Sequence, residues 1–485
     1  MTSPVKKLFG QTAVYGMSSI LGRLLNYLLV PLYTAVFVDP ADYGVVSELY
    51  AWVAFLIVLL TFGMETAFFR FIQKEGQREK TFATALVSLL FVNVLFFIIL
   101  AIFHQDIARL LLFEHHGEYI LLLGGIVAVD AISSLLLAKL RAEERAVRFS
   151  IIQFSSIGIN IALNLVLMLG FVDPKHPEKG ILYILLANLV ASLIKPILMY
   201  KSFQLKASFD RLLMHKMLRY SIPLAIAGFA GIINEMLDRI LLKQLLFDPT
   251  SPESLNLAEA QVGVYSASYK LAMLVTIFLQ AYRYAAEPFF FNQMKNDNRT
   301  EVYVKVMNAF IGLVCCVFLL VSLNIGVFKH FIQNESYWVG LKVVPILLLA
   351  NVFLGIYYNQ SIWYKLSGKT GYGALIAICG ALLTITLNII YIPQYGYIAC
   401  AWATLIVYFI QMVLSYILGQ RYYPIPYNLK KFFLYLGITL GIYFFAREFQ
   451  FEDQVINLVY RNSLLLLLIL FLFWNEKKPL AELEA

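Results

Sequence analysis

The sequence predicts an all-α polytopic membrane protein. Its expected plan is fourteen transmembrane helices: two six-helix lobes related as a parallel repeat, and two further helices at the C-terminus. Three observations predict it. Apolar runs of spanning length recur along 485 residues that are 60% hydrophobic and 14% charged, where a soluble domain carries about 25% charged residues. Lys and Arg collect in alternate connecting segments. Short patterns from the first six runs return, in order, in the next six.

A helix needs roughly 20 apolar residues to cross about 30 Å of hydrocarbon. The first run, 11–36, is longer than a signal-peptide core and lacks a small-residue cleavage site, so it is expected to stay as a span. The second, 43–69, is closed by Arg70. Runs 81–103 and 118–138 follow, the latter leading into the basic segment AKLRAEERAVR. Runs 149–171 and 181–200 complete the first six. Runs 220–244, 262–288, 306–328, 338–363, 372–392 and 397–418 form the second six, and 429–446 and 455–474 close the chain. The expected divisions are residues 1–205, 206–420 and 421–485. No connecting loop exceeds about 20 residues, which leaves no room for a soluble catalytic domain.

Orientation follows from the cations. With a cytoplasmic N-terminus, 25 of the 38 Lys and Arg residues lie in inside segments and 6 in outside loops. That bias predicts both termini in the cytoplasm and an even number of spans. The net charge of +8 is therefore mainly a topology signal, and a nucleic-acid partner is not expected. Cys315, Cys316, Cys379 and Cys400 all lie in apolar runs, as small buried side chains.

The repeat is carried by four matches. Gly44-Val-Val-Ser47 opens span two and Gly263-Val-Tyr-Ser266 opens span eight. Lys139-Leu140 aligns with Lys365-Leu366, and Asn164 in ALNLVL with Asn388 in TLNIIY. Gly180-Ile181 aligns with Gly396-Tyr397. Six spans is an even number, so the two lobes run the same way through the membrane. Two lobes around a midplane site are the usual layout for alternating access.

The motifs with a soluble-enzyme flavour fail on context. SGKTG at Ser367–Gly371 has Trp363 where a phosphate-binding loop needs a glycine, and a span where it needs a strand. Adjacent residues do not share a helix face, so His115-His116 reads as a surface loop. No cofactor or metal is expected.

Charges within spans carry more. Each costs about 2.5–3.5 kcal/mol at the bilayer centre, so they face a cavity or a partner. Arg23 lies near the middle of span one on a polar stripe with Ser19, Asn26 and Tyr27. It is expected to face a cavity, with a buried pair to Asp130 as the alternative. Lys270 lies about eight residues into span eight. Arg283 and Glu287, four apart, can pair on a helix surface. Lys195 and Lys342 read as cations reaching a nearby interface. Glu65 lies in the inner third of span two. In NEMLDRILLK, Asn234 to Lys243, the charges fall in the outer half of span seven. There Glu235 and Arg239 are expected to pair, Lys243 to reach the outer interface, and Asp238 to share a face with Asn234. The cluster is expected to act as an outer-mouth latch or as a structural ion-pair knot.

Several stretches resemble a known family. They are YGMSSILGRLLNYLLVPLYTAVF in span one, DYGVVSELYAWVAFLIVLLTFGMETAFFRF, LRAEERAVRFSIIQ, LRYSIPLAIAGFAGIINEMLDRILL in span seven and GVYSASYKLAMLVTIFLQAYRYAAEPFFF in span eight. Together they are similar to the Wzx-type polysaccharide flippases of the multidrug/oligosaccharidyl-lipid/polysaccharide (MOP) exporter superfamily, over nearly the whole chain. The resemblance implies a MOP/MATE-like fold in a bacterial inner membrane. It implies a lipid-linked substrate, an undecaprenyl-pyrophosphate oligosaccharide, moved from the cytoplasmic to the periplasmic leaflet for surface polysaccharide synthesis. Arg23 and the Asp238-Arg239 pair fall where the family carries such residues. Arg23, Lys270 and Asn26 are then the candidate pyrophosphate ligands, since arginine contacts phosphate oxygens in pairs. Glu65, Asp130, Glu235, Asp238 and Arg239 are candidates for gating or for coupling to H⁺ or Na⁺. Membrane lipids and a polysaccharide polymerase are expected partners.

Two alternatives stay open. A drug antiporter of the same superfamily should centre on acidic residues with few cavity cations and usually has twelve spans. A polymerase or lipid-linked glycosyltransferase usually needs a large outside loop, whereas the longest here are near 103–118 and 245–261.

Overall fold

A computed structural model describes residues 21, 24, 25, 27–74, 78–113, 116–203, 208–251, 253–293 and 299–477. All regular secondary structure among them is helical. Among the described residues, thirteen helices are long and apolar enough to cross a membrane, and the chain is a multi-pass membrane protein. Most of the expected first span lies outside the described residues; its end forms α1, Val30–Val36.

Contacts divide the chain into two compact units, Met1–Ser266 with Thr384–Tyr397, and Ala267–Leu383 with Ile398–Ala485. In the first unit, α2 runs Pro40–Thr61, α3 Met64–Lys74, α4 Arg78–Leu110, α5 Gly117–Ala142, α6 Ala146–Gly170, α7 Lys179–Leu198 and α8 Arg211–Leu246. The helix α9, Ser254–Gln293, begins in the first unit and continues into the second. The start of α2 is written locally. Pro40 occupies its first turn, where a missing N–H costs nothing, and Asp39 caps it by accepting from Ala41 N–H at 2.9 Å. Asp210 caps α8 through Leu213 N–H at 3.0 Å, with Lys80 Nζ 2.6 Å from its other oxygen. The hydrogen bond from Lys80 and the capping bond hold the Asp210 carboxyl below the usual carboxylate range.

The predicted span 43–69 is two helices. The chain breaks at Phe62 and Gly63, both left-handed at φ 36° and 68°. A side chain at Gly63 would meet the Ser221 carbonyl at 2.9 Å, so the turn needs glycine. After it, α3 is amphipathic: Met64, Ala67, Phe68 and Phe71 are buried while Thr66, Arg70 and Gln73 are exposed. The buried face packs into a core with Leu86 and Leu89 of α4, Leu135 and Leu136 of α5 and Met217 of α8. The opposite preference marks the lipid side of α4, where Phe91, Val94, Ile98 and Ile102 form an exposed apolar stripe at helical spacing.

The second unit holds α10, Arg299–Leu323, α11, Val344–Gln360, α12, Gly371–Tyr395, α13, Tyr397–Tyr422, α14, Leu429–Glu448, and α15, Gln454–Lys477, except that the C-terminal part of α12 and Tyr397 belong to the first. The expected span 338–363 is likewise composite, a 3₁₀ stretch Glu335–Val343 followed by α11 and the short helix Ile362–Leu366. The last two helices pack on α10. Their contacts are polar at both ends. Lys431 and Glu476 pair at 2.8 Å, with Tyr435 donating to the same carboxylate. At the other end Asn324 and Asn462 exchange amide hydrogen bonds at 3.0 and 3.2 Å. In hydrocarbon such pairs fix which helices meet, because apolar surface is no longer driven together.

Candidate functional site

The site is built on a helix crossing. Near its start, α2 meets α9 at Gly44 and Gly263, the glycines that the expected repeat would align. A Cβ on Gly44 would lie 1.9 Å from the Glu259 carbonyl oxygen and 3.0 Å from Gly263 N. A Cβ on Gly263 would lie 1.9 Å from the Pro40 oxygen and 3.0 Å from Gly44 N. The contact is reciprocal, backbone on backbone, and only residues without a side chain permit it.

One turn from each glycine stands a carboxylate, Glu48 on α2 and Glu259 on α9. Between them Lys243, from the last turn of α8, sets its Nζ 3.0 Å from an oxygen of each. The Lys243 side chain is fully buried and Glu48 is 1% exposed. The same ammonium donates to the carbonyls of Leu111 and Leu112, at 3.2 and 3.3 Å, where α4 ends. It also lies 3.6 Å from the centroid of the Phe113 ring. Helix C-termini present unpaired carbonyls and partial negative charge, and an aromatic face attracts a cation. One lysine thereby ties α2, α4, α8 and α9 together. Trp52 Nε1 reaches the remaining oxygen of Glu48 at 3.4 Å.

One turn deeper on α8, Asp238 and Arg239 form a second buried pair at 2.9 Å. Asp238 also accepts from the Tyr265 hydroxyl of α9 at 2.5 Å and from the Arg239 backbone N–H at 2.9 Å. Asn234 accepts from Thr384 of α12 at 3.0 Å. The expected Glu235–Arg239 pair is thus corrected. Glu235 is exposed, and it offers Arg239 its backbone carbonyl, 2.7 Å away. Asp238 prevails because Tyr265 and a backbone N–H already hold its carboxylate on the buried side. Lys243 also departs from expectation: it turns inward to two carboxylates instead of reaching an interface.

The asymmetry between Glu235 and Arg239 is testable by thermal unfolding in detergent. Glu235→Gln is expected to stay within about 0.5 kcal/mol of the parent, as surface changes do. Arg239→Gln strands buried Asp238 and is expected to cost about 3–5 kcal/mol. Equal effects would contradict the pairing described.

The other predicted residues separate. Arg23 and Asn26 lie outside the described residues. Lys270 lies on the part of α9 that belongs to the second unit and is half-buried. Asp130 on α5 pairs with Lys195 on α7 at 2.8 Å, so Lys195 has a specific partner. Beside this pair, Asn188 of α7 donates to the Tyr50 hydroxyl of α2 at 2.8 Å. Glu65 pairs with Arg141 at 2.8 Å, both part-exposed, at the opposite end of the helices from Lys243. Arg283 lies with its guanidinium 5.4 Å from the Tyr358 ring centroid; the Glu287 side chain is outside what is described. Sequence reasoning passed over Glu48 and Glu259. Their signal was symmetry: one lies four residues after Gly44, the other four before Gly263.

This arrangement can act as a closure. The charges are shielded from water, so they hold strongly while together, and parting them requires rehydration of every group at once.

Known proteins agree with the architecture. A family model described as "Polysaccharide biosynthesis protein" matches residues 8–294. The "Lsg locus putative protein 1" of Haemophilus influenzae is 23% identical over 443 residues, which cover 84% of this chain and 99% of that protein. Among solved structures, the lipid II flippase MurJ in an inward closed conformation has a TM-score of 0.69 at 16% identity, covering 96% of this chain and 97% of that one. An inward-facing multidrug resistance MATE family transporter of the MOP superfamily has a TM-score of 0.59 at 15% identity, covering 81% and 94%. The structural likenesses establish the fold, an all-helical membrane architecture shared with both.

Proposed function

Because the chain belongs to the polysaccharide biosynthesis protein family, a family of MOP flippase-like transporters, we propose that it moves an undecaprenyl-pyrophosphate-linked oligosaccharide from the cytoplasmic to the periplasmic leaflet of a bacterial inner membrane. It does so by alternating access and without chemical change to the substrate. The observation that carries the reading is the buried Lys243–Glu48–Glu259 knot at the Gly44–Gly263 crossing. Alternating access needs a seal at one end that is tight, dry and separable, and a knot of charges has those properties where apolar packing in lipid would not.

The distribution of Lys and Arg supports cytoplasmic termini, and with that orientation the knot lies toward the periplasmic end of the helices. The structural likeness to a lipid II flippase supports a substrate with a large polar head on a lipid. Such a head passes through a wet interior while its tail stays in hydrocarbon. Its pyrophosphate needs cations, and Arg23, with Lys270 and Asn26, is the proposed set. In cells lacking the native gene, Arg23→Ala is expected to abolish surface polysaccharide export while the protein still inserts, and Arg23→Lys to restore it in part, having lost bidentate contact. Normal export by Arg23→Ala would remove the phosphate role. A purified protein that hydrolyses or transfers sugars unaided would overturn the transporter reading.

A further inference from the structure

The first unit carries a second charged site, at the end of the helices opposite Lys243. There a cavity of about 640 Å³ opens among the start of α4, the α5–α6 turn and the residues after α7. Five cations line it: Arg78, Lys139, Arg145, Arg148 and Lys201. Two carboxylates, Glu79 and Glu143, accompany them, and Glu143 is already held by Arg145 Nε at 3.2 Å. The lining is therefore net cationic by three charges.

Two of the cations are fixed by fold contacts. Lys139 Nζ lies 4.2 Å from the centroid of the Phe82 ring, which forms part of the wall. Arg148 Nη2 donates to the Leu198 carbonyl at the end of α7, at 3.4 Å. Beside the cavity the surface turns apolar. Val147 and Ile151, one turn apart on α6, are 72% and 58% exposed, and Ile197, Leu198 and Tyr200 are exposed after them. A charged hollow beside a lipid-facing stripe is amphipathic in the sense that a lipid is.

We infer that this cavity binds the phosphate headgroup of an anionic membrane phospholipid, with its acyl chains along Val147, Ile151 and Leu198. A soluble phosphate ester would satisfy the cations and gain nothing from the apolar flank. Basic pockets between helices on the cytoplasmic side are a known physical solution for lipid headgroups, each cation near the surface contributing about fivefold in affinity. The inference needs only the membrane setting and stands apart from the flippase reading.

The test uses the full chain in detergent, titrated with phosphatidylglycerol, phosphatidylcholine or glycerol 1-phosphate, with bound lipid counted by native mass spectrometry. Phosphatidylglycerol is expected to bind at least tenfold more tightly than phosphatidylcholine. Arg145→Gln/Arg148→Gln/Lys201→Gln is expected to lose that preference. Should the triple variant misfold, Lys201→Gln alone, at an exposed side chain, is expected to weaken phosphatidylglycerol about fivefold and leave phosphatidylcholine unchanged. An equal affinity for the two lipids in the parent, or a preference that survives both variants, overturns the site. Displacement of phosphatidylglycerol by equimolar glycerol 1-phosphate would overturn the lipid as its occupant.

Discussion

Replacing Lys243 with methionine is expected to loosen the crossing of α2 and α9 and, on the transport function proposed above, to abolish export. The substitution keeps most of the apolar stem and removes the ammonium. Glu48 and Glu259 are then left buried around a position that held their shared cation 3.0 Å from each. Breaking a buried pair by deleting one partner costs about 3–5 kcal/mol, mostly the penalty of the stranded charge. That is comparable to the few kcal/mol that separate two conformers of a protein, enough to shift their balance. The readout is a cysteine at Val46, which is 2% exposed, in a background where Cys315, Cys316, Cys379 and Cys400 are serine. A membrane-impermeant thiol reagent is expected to label it slowly in the parent and rapidly in Lys243→Met. Glu48→Gln/Glu259→Gln, added to Lys243→Met, is expected to slow labelling again, because no buried charge remains unpaired. Unchanged labelling in Lys243→Met would show that the knot does not hold this crossing together.

Gly44→Ala and Gly263→Ala are expected to have comparable effects from a steric cause. Either Cβ would sit 1.9 Å from a backbone carbonyl oxygen on the opposite helix, and backbone cannot rotate away as a side chain can. The helices must separate, and the carboxylates one turn away are carried off Lys243 with them. Both variants are expected to insert normally, label rapidly at Val46→Cys and fail in export. Combined, they are expected to be no worse than either alone, since they disrupt one contact. Gly158→Ala and Gly231→Ala are the controls. Nothing lies within 4 Å of either Cβ, and alanine in place of glycine stabilises a helix by about 0.5–1 kcal/mol. Full export by Gly44→Ala would rule out the crossing as a necessary state.

Much of the fold was legible because hydropathy is a local property. Among the described residues the apolar runs from the second onward are helical, and departures occurred where a run is a poor ruler. The span 220–244 belongs to a helix that starts at Arg211, because Asp210 caps it and polar residues stay helical beyond the apolar window. The span 43–69 broke at Phe62–Gly63, and TFGMET carried only its glycine as a signal. The site was half legible. The concentration of charge in NEMLDRILLK was visible, and so was the aligned GVVS and GVYS pair. The link between them was not, because Glu48, Lys243 and Glu259 belong to three helices whose approach no spacing rule describes. The same gap explains Asp130, whose partner is Lys195, and Glu65, whose partner is Arg141.

By itself the sequence determined the class and the order of the described spans, which follow from composition and period along one chain, and it raised the expectation of a duplication. Tertiary structure alone decided which charges meet. In a low-dielectric interior the sign and size of an ionic interaction turn on a few ångströms between groups on different helices. Lys243 is an ordinary interfacial lysine by its position in the chain, and becomes the cation of a dry knot only because two glycines let α2 and α9 touch.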